Sequence, residues 1–172
     1  MNEDVVQWSS PAEPWFKLNV DGVTFFTHKS VGIRAVICDH TRRVEATLSK
    51  KLYAPLGPME IEAKALEEGV NFAWDIGIRD LVVESDSQIV IDAFKGDGIA
   101  PMFIANIIEG TRFKLLEFRR ILIYHVKRLG NRLAHILAQY AKNIDGHVTW
   151  TEENLSMIVF VLGQDVLNLS SS

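Results

Sequence analysis

The pattern of apolar and polar positions predicts three strands in the first third of the chain. Residues 15–21 alternate strictly between the two kinds of side chain, and a two-residue repeat is typical of a strand whose faces differ. Residues 31–39 and 44–52 have the composition of two hairpin arms around the polar turn DHTRR. We therefore predict three antiparallel strands in succession. The polar members of the first strand are Lys17, Asn19 and Asp21.

A helix is predicted next, between Gly57 and Gly77. Pro58 is tolerated in a first helical turn, and glycine is common just after a last one. Between these residues, apolar side chains recur every three or four positions, which indicates one buried stripe. Glu60 falls on the margin of that stripe, near the start of the helix. The stripe consists of Met59, Ala63, Leu66, Val70, Ala73 and Trp74.

The rest of the pattern predicts an α/β fold. Residues 79–84 form a nearly continuous apolar run, as expected of a central parallel strand covered on both faces. Right-handed crossovers would place this strand beside the first. We predict a three-layer fold whose five-stranded mixed sheet, three antiparallel strands followed by parallel ones, is flanked by helices. The remaining predicted elements are helices at 88–94, 101–118 and 131–142 and a strand at 120–126.

Length and composition favour one domain. At 172 residues and 48% apolar content, the chain can bury one sizeable core. We predict a leader at 1–14, a domain at 15–145 and a tail at 146–172 that packs on the domain or in a dimer. The longest apolar run is six residues, far short of a membrane span. The expected protein is therefore soluble and intracellular, in nucleus or cytoplasm, and not secreted. Its single cysteine, Cys38, is predicted to be a buried strand residue.

Charge is distributed unevenly along the chain. Residues 60–97 carry ten acidic and three basic side chains, whereas residues 112–132 carry seven basic and one acidic. An acidic half beside a basic stretch suits a site where metal ions meet a bound polyanion. Two solvated helix faces would give the same pattern.

Three acidic residues are the candidate functional groups. Asp21 and Asp86 follow apolar strands and are expected near the same end of the sheet, while Glu60 opens a helix. Converging carboxylates are what hard divalent cations require. Each acid also has a structural explanation: a turn for Asp21, compensation of the helix dipole for Glu60, and a helix cap for Asp86. Glu62, on the other margin of the stripe, is a rival for the role of Glu60.

Four sequence segments, taken in their order along the chain, resemble the motifs of a known protein family. They are LNVDG, MEIEAKALEEGVNFAWDIGI, LVVESDSQIVIDAF and HVKRLGNRLAHILAQYA. Together they resemble the ribonuclease H family, most closely its plant-type, single-domain and retroelement-related branch, from about residue 17 to residue 141. The resemblance implies that Asp21, Glu60 and Asp86 match three of four acids that hold two Mg²⁺ ions, with Mn²⁺ as a possible substitute.

The resemblance also implies a substrate and a departure from the family pattern. The expected activity is hydrolysis of the RNA strand of an RNA–DNA hybrid. The fourth acidic position is His135, and imidazole is a poorer Mg²⁺ ligand than carboxylate. Asn131 would assist His135 or bind backbone, and Arg128 and Arg132 would contact phosphates.

Two other functions remain open from the sequence. One is a hybrid-binding module of the same fold that does not cleave, and the other is a protein-interaction role in which the apolar tail forms a dimer surface. The expected oligomeric state is a monomer or a weak homodimer. Glu84 and Asp92 are expected to be surface charges rather than ligands.

Overall fold

The structure is a computed structural model that describes residues 10–25, 29–41, 43–131 and 147–151. From β1 to β5, the strands and helices follow one another in the order that the hydrophobic pattern predicts. The strands are β1 (Phe16–Phe25), β2 (Ser30–Cys38), β3 (Val44–Leu52), β4 (Asp80–Ser85), β5 (Arg120–His125) and β6 (His147–Thr151). The helices are α1 (Pro58–Asp75), α2 (Gln88–Lys95) and α3 (Met102–Leu115), with a 3₁₀ turn at Arg128–Asn131.

The strands form one mixed sheet in the order β5-β4-β1-β2-β3-β6. β1, β2 and β3 pair antiparallel, and β1–β4 and β4–β5 pair parallel. The predicted fold class is confirmed, including the position of β4 beside β1. The structure adds a sixth strand, β6, which pairs antiparallel with β3 at the edge of the sheet.

Helix α1 packs on one face of the sheet through small side chains as well as large ones. Its buried residues include Gly69, where an added Cβ would lie 2.6 Å from Val20 Cγ1. Such an approach needs a residue without a side chain at the point of contact. The helix therefore rests directly on β1, in the region where the chain carries Asp21.

The other face of β1 is polar and buried. Lys17, Asn19 and Asp21 are each less than 5% exposed. Glu84 on β4 is also buried and lies within 2.8 Å of Lys17 Nζ. The prediction that Glu84 is a surface charge is therefore wrong, because a cationic partner compensates its burial.

One aspartate and two arginines form a charged cluster where the two parallel strands β4 and β5 begin. The Asp80 carboxylate accepts hydrogen bonds from Arg119 and Arg120, and these bonds hold the pKa of Asp80 well below its usual range. Because Asp80 and Arg120 are register partners, the cluster fixes the alignment of β5 against β4 at the end of the strands remote from Asp86.

The thiol of Cys38 is expected to resist modification in the folded protein. Cys38 is 1% exposed, as predicted, and burial, followed by the charge of Asp39, raises its pKa to about 12. Thiolate is the reactive form, so we expect a disulfide reagent to label native protein at the rate of unfolding. Labelling is to be followed across a denaturant series. Rapid labelling of folded protein without denaturant would contradict the buried position.

Some sequence predictions fall outside the described residues. They are the leader as far as residue 9, the helix at 131–142 beyond its first residue, with Arg132 and His135, and the tail apart from residues 147–151. Among the helices within the described ranges, none is both long and apolar enough to cross a membrane.

Candidate metal centre and active site

Three carboxylates from three different elements meet at one point. Asp21 lies on β1, Glu62 lies in the second turn of α1, and Asp86 follows the last residue of β4. One oxygen from each lies within 4.8 Å of the other two. Asp21 is buried, and Glu62 and Asp86 are partly accessible. The cluster is thus open on one side.

The fold brings these residues together through two contacts of β1. Parallel pairing with β4 places Asp86 near Asp21, because the register matches Asn19 with Glu84, two residues before each acid. On the helix side, Gly22 lets α1 approach closely, since an added Cβ there would lie 2.9 Å from the carbonyl oxygen of Ile61. Because Glu62 follows Ile61 in α1, this close approach also brings Glu62 near Asp21 and Asp86.

The electrostatics of the cluster favour a cation. Burial, then the negative charges of Asp21 and Asp86, raise the pKa of Glu62 to about 9. A 3.4 Å hydrogen bond from the Gly22 N–H to Glu62 Oε1 acts in the opposite direction. The second oxygen, Oε2, is buried and has no hydrogen-bond partner within the described part of the chain. A buried oxygen without a partner is costly, and a bound cation would remove that cost and favour the ionised form of Glu62.

Glu60 does not join the cluster, which corrects the sequence prediction. Its Oε1 accepts a hydrogen bond from the Gly57 N–H at 3.4 Å, so Glu60 caps the first turn of α1, as the glutamate of a capping box does. The structural explanation considered for Glu60, compensation of the helix dipole, agrees with its position in the first turn of α1. Glu62, the rival, lies with Asp21 and Asp86 instead.

A signal for Glu62 was present in the sequence. The predicted stripe left out Ala65 and Gly69, which are buried as well. The buried face of α1 is therefore displaced toward the margin that carries Glu62. Glu62 precedes Leu66 by four positions and therefore lies above it on that face. An acid in line with small residues marks the closest approach of helix and sheet.

Other predicted site residues occupy different environments. Asn131 is fully buried, and its Nδ2 donates to the carbonyl oxygen of Val20 at 2.7 Å. It therefore has no surface to bind a substrate backbone, so that predicted role is wrong, and its amide instead binds the backbone of this chain. Arg128 is exposed at the start of the same 3₁₀ turn. His125, on β5, approaches the cluster, with Nε2 lying 3.2 Å from the backbone oxygen of Asp86.

Comparison with known proteins identifies the family. A family model described as reverse transcriptase-like matches residues 19–141, more than two thirds of the chain. The "Putative ribonuclease H protein" of Arabidopsis thaliana is 28% identical over 142 residues, which cover 81% of this chain. The chain spans only 22% of the length of that relative.

Solved structures share the fold. RNase H1 from the archaeon Halobacterium salinarum superposes with a TM-score of 0.70 at 22% identity, covering 75% of this chain and 98% of the archaeal one. LC11-RNase H1, isolated from compost and solved in complex with an RNA/DNA hybrid, gives a TM-score of 0.67 at 16% identity. That superposition covers 74% of this chain and 96% of the other. The chain therefore belongs to the reverse transcriptase-like family and has the ribonuclease H fold, as the resemblance of its sequence motifs predicted.

Proposed function

We propose that this protein is a metal-dependent endonuclease that hydrolyses the RNA strand of RNA–DNA hybrids. The observation that carries the proposal is the convergence of Asp21, Glu62 and Asp86 within 4.8 Å. The fold supports it, since one protein of the same fold has been solved with an RNA/DNA hybrid bound.

The three carboxylates fit divalent cations of the Mg²⁺ and Mn²⁺ type. All the donors are oxygens, which hard cations prefer, and the buried Glu62 Oε2 lacks a partner among the described residues. Two such ions, when bound, supply an activated water and stabilisation of the leaving 3′ oxygen. The protein contributes three fixed negative charges, one from each of three elements that pack on one another.

The surrounding residues hold the carboxylates in place and leave one side open. Asp21 is fixed within a central strand, and the backbone of Asp86 is within hydrogen-bonding distance of His125. Arg128 is exposed in the 3₁₀ turn that follows β5, where a guanidinium can contact phosphate oxygens. Recognition of a hybrid would then depend on its backbone shape and 2′-hydroxyls rather than on base sequence.

The proposed fourth ligand position weakens the metal site. His135 stands where the resemblance implies an acid, and a neutral imidazole supplies one negative charge fewer than a carboxylate. We propose that cleavage persists with reduced metal affinity or with a better response to Mn²⁺, because imidazole is a poorer ligand than carboxylate for Mg²⁺.

The proposal predicts metal-dependent cleavage of a hybrid. A hybrid labelled on its RNA strand is to be incubated with protein in Mg²⁺, in Mn²⁺ and in a chelator, beside matched RNA and DNA duplexes. We expect cleavage of the hybrid RNA only when a metal is present. Asp86→Asn keeps the shape of the side chain and removes its charge, so this variant is expected to lose cleavage and metal-dependent thermal stabilisation.

Two results would overturn the proposal. One is that wild-type protein, folded by circular dichroism, leaves the hybrid intact in both metals. The other is that Asp86→Asn cleaves as fast as wild type, which would indicate a contaminating nuclease. If the hybrid binds in a salt-dependent way without cleavage, the protein is instead the non-cleaving module of the same fold.

A further inference from the structure

Four buried polar side chains form a connected network next to the carboxylate cluster, here called the polar network. Lys17 Nζ lies 2.8 Å from Glu84 Oε1. Asn19 Nδ2 donates to Glu84 Oε2 at 3.0 Å and to Asn131 Oδ1 at 3.0 Å. Asn131 Nδ2 in turn donates to the carbonyl oxygen of Val20 at 2.7 Å. The network thus joins β1, β4 and the 3₁₀ turn.

Asn19 is the central residue of this network. Its amide nitrogen contacts two acceptor oxygens, one of a carboxylate and one of an amide, so the nitrogen must face them. The opposite orientation of the amide would place its oxygen against two other oxygens in a site that is 2% exposed. Both N–H groups of the Asn19 amide are therefore used, and its orientation is determined by its partners.

The position of Asn19 relative to the cluster gives the network a role. The parallel pairing of β1 with β4 ends at Asn19 and Glu84. Asn19 precedes Asp21 by two positions, and Glu84 precedes Asp86 by two positions. Side chains two positions apart along a strand point to the same face of the sheet. The side-chain bond between Asn19 and Glu84 is thus the last described link between the two strands before Asp21 and Asp86.

Glu84 does not belong to the carboxylate cluster, although it is close to Asp86 in sequence. Its two carboxylate oxygens are engaged by Lys17 and Asn19, and the charge of Lys17 compensates its own. Glu84 therefore orders the strand that carries Asp86 without adding a fourth charge to the cluster.

We propose that Asn19 is a positioning residue that fixes the separation of Asp21 and Asp86 and so sets the affinity of the cluster for divalent cations. This inference rests on the proposed function, since it assumes that the cluster binds metal. Residues that orient ligands from outside the coordination sphere typically change metal affinity by about 10- to 100-fold when they are replaced.

The test measures Mn²⁺ binding by calorimetry, independently of cleavage. Asn19→Leu keeps the approximate size of the side chain and removes both hydrogen bonds. We expect its dissociation constant for Mn²⁺ to be about 10- to 100-fold higher than that of wild type. The Mg²⁺ concentration for half-maximal cleavage is expected to rise in parallel, while the KM for a hybrid stays the same.

A matched control separates positioning from general destabilisation. Thr111 is 2% exposed on α3, and its hydroxyl donates to the Ile107 carbonyl oxygen at 2.8 Å. Thr111→Val removes this buried hydrogen bond at the same size of side chain. We expect it to lower the melting temperature of the metal-free protein and to leave the Mn²⁺ dissociation constant unchanged.

Each outcome decides the inference. If wild type binds Mn²⁺ and Asn19→Leu binds it equally tightly, the network is structural and the inference is wrong while the proposed function stands. If wild type does not bind Mn²⁺, the proposed function fails first and the inference with it. Should Asn19→Leu not fold, Asn19→Ser is measured in its place, because its shorter side chain also loses the bond to Glu84 and leaves room for water beside the vacated polar groups. Unchanged Mn²⁺ affinity in that variant would equally reject the inference.

Discussion

Replacing Glu62 with Gln is expected to reduce hybrid cleavage by about 100-fold or more, with little change in KM. Metal ions supply several kcal/mol of transition-state stabilisation, and each ~1.4 kcal/mol corresponds to a factor of ten in rate. Glu62 supplies one of the three converging carboxylates. Gln keeps the shape and the acceptor oxygen of that side chain but removes its charge. The measurement is the steady-state rate of hybrid cleavage in saturating Mg²⁺ and Mn²⁺.

Glu60→Gln is the matched control for this prediction, since Glu60 is two residues away in the same helix. Its carboxylate caps the first turn of α1 and does not belong to the cluster. We expect cleavage close to that of wild type and a loss of stability of at most about 1 kcal/mol. The reverse result, with Glu60→Gln inactive and Glu62→Gln active, would show that the helix presents its other margin to the metal.

The same Glu62→Gln variant should also remove a pH dependence of stability. The pKa of Glu62 is raised from 4.5 to about 9 in the folded protein, so the folded state holds a proton that the unfolded state releases. Without metal, the free energy of unfolding of wild type should therefore fall as the pH rises between those two values. Glu62→Gln lacks this titration, and chemical denaturation at several pH values will compare the two proteins.

The second large effect is expected from Gly22→Ala. A Cβ at this position would lie 2.9 Å from both Cγ1 and the carbonyl oxygen of Ile61, so the backbone of α1 must move away from β1. Overpacking of this kind costs about 1–3 kcal/mol. The displacement also carries Glu62 away from Asp21, and a misplacement of about 1 Å can lower the rate about 100-fold. Cleavage assays and thermal melts on the same preparation measure both effects.

Gly69→Ala provides the control for Gly22→Ala. It overpacks the same interface, with a Cβ 2.6 Å from Val20 Cγ1, but lies about two helical turns beyond Glu62. We expect a similar loss of stability with most of the cleavage activity retained. If both variants lost activity in proportion to their stability, the close approach at Gly22 would be a requirement of folding alone.

Much of the architecture could be predicted from local patterns. The range predicted for β3 is the range observed, β4 is shifted by one residue at both ends, and α2 is one residue longer than predicted. β1 extends to Phe25 rather than ending at Asp21, because its last residues pair with β2 as far as Ser30. Pairing between strands depends on the partner, so it leaves no periodic signal in the strand itself.

The functional cluster was predicted only in part. Asp21 and Asp86 each follow a strong strand pattern, and strand adjacency placed both at one end of the sheet. The choice between Glu60 and Glu62 depended on the rotation of α1 about its axis. Small residues such as Gly69 set that rotation by allowing contact with β1, and the predicted stripe had left Gly69 out.

The sequence by itself determined the order of the elements, the class of fold and the presence of acids suited to divalent cations. These features follow from hydrophobic periodicity, turn residues and side-chain chemistry, all of which are local. Only the tertiary structure decided that Glu62 completes the cluster and that Lys17, Asn19, Glu84 and Asn131 form one buried network. The physical reason is that both arrangements depend on how closely separate elements approach, and that distance is set by packing across the sheet rather than by neighbours along the chain.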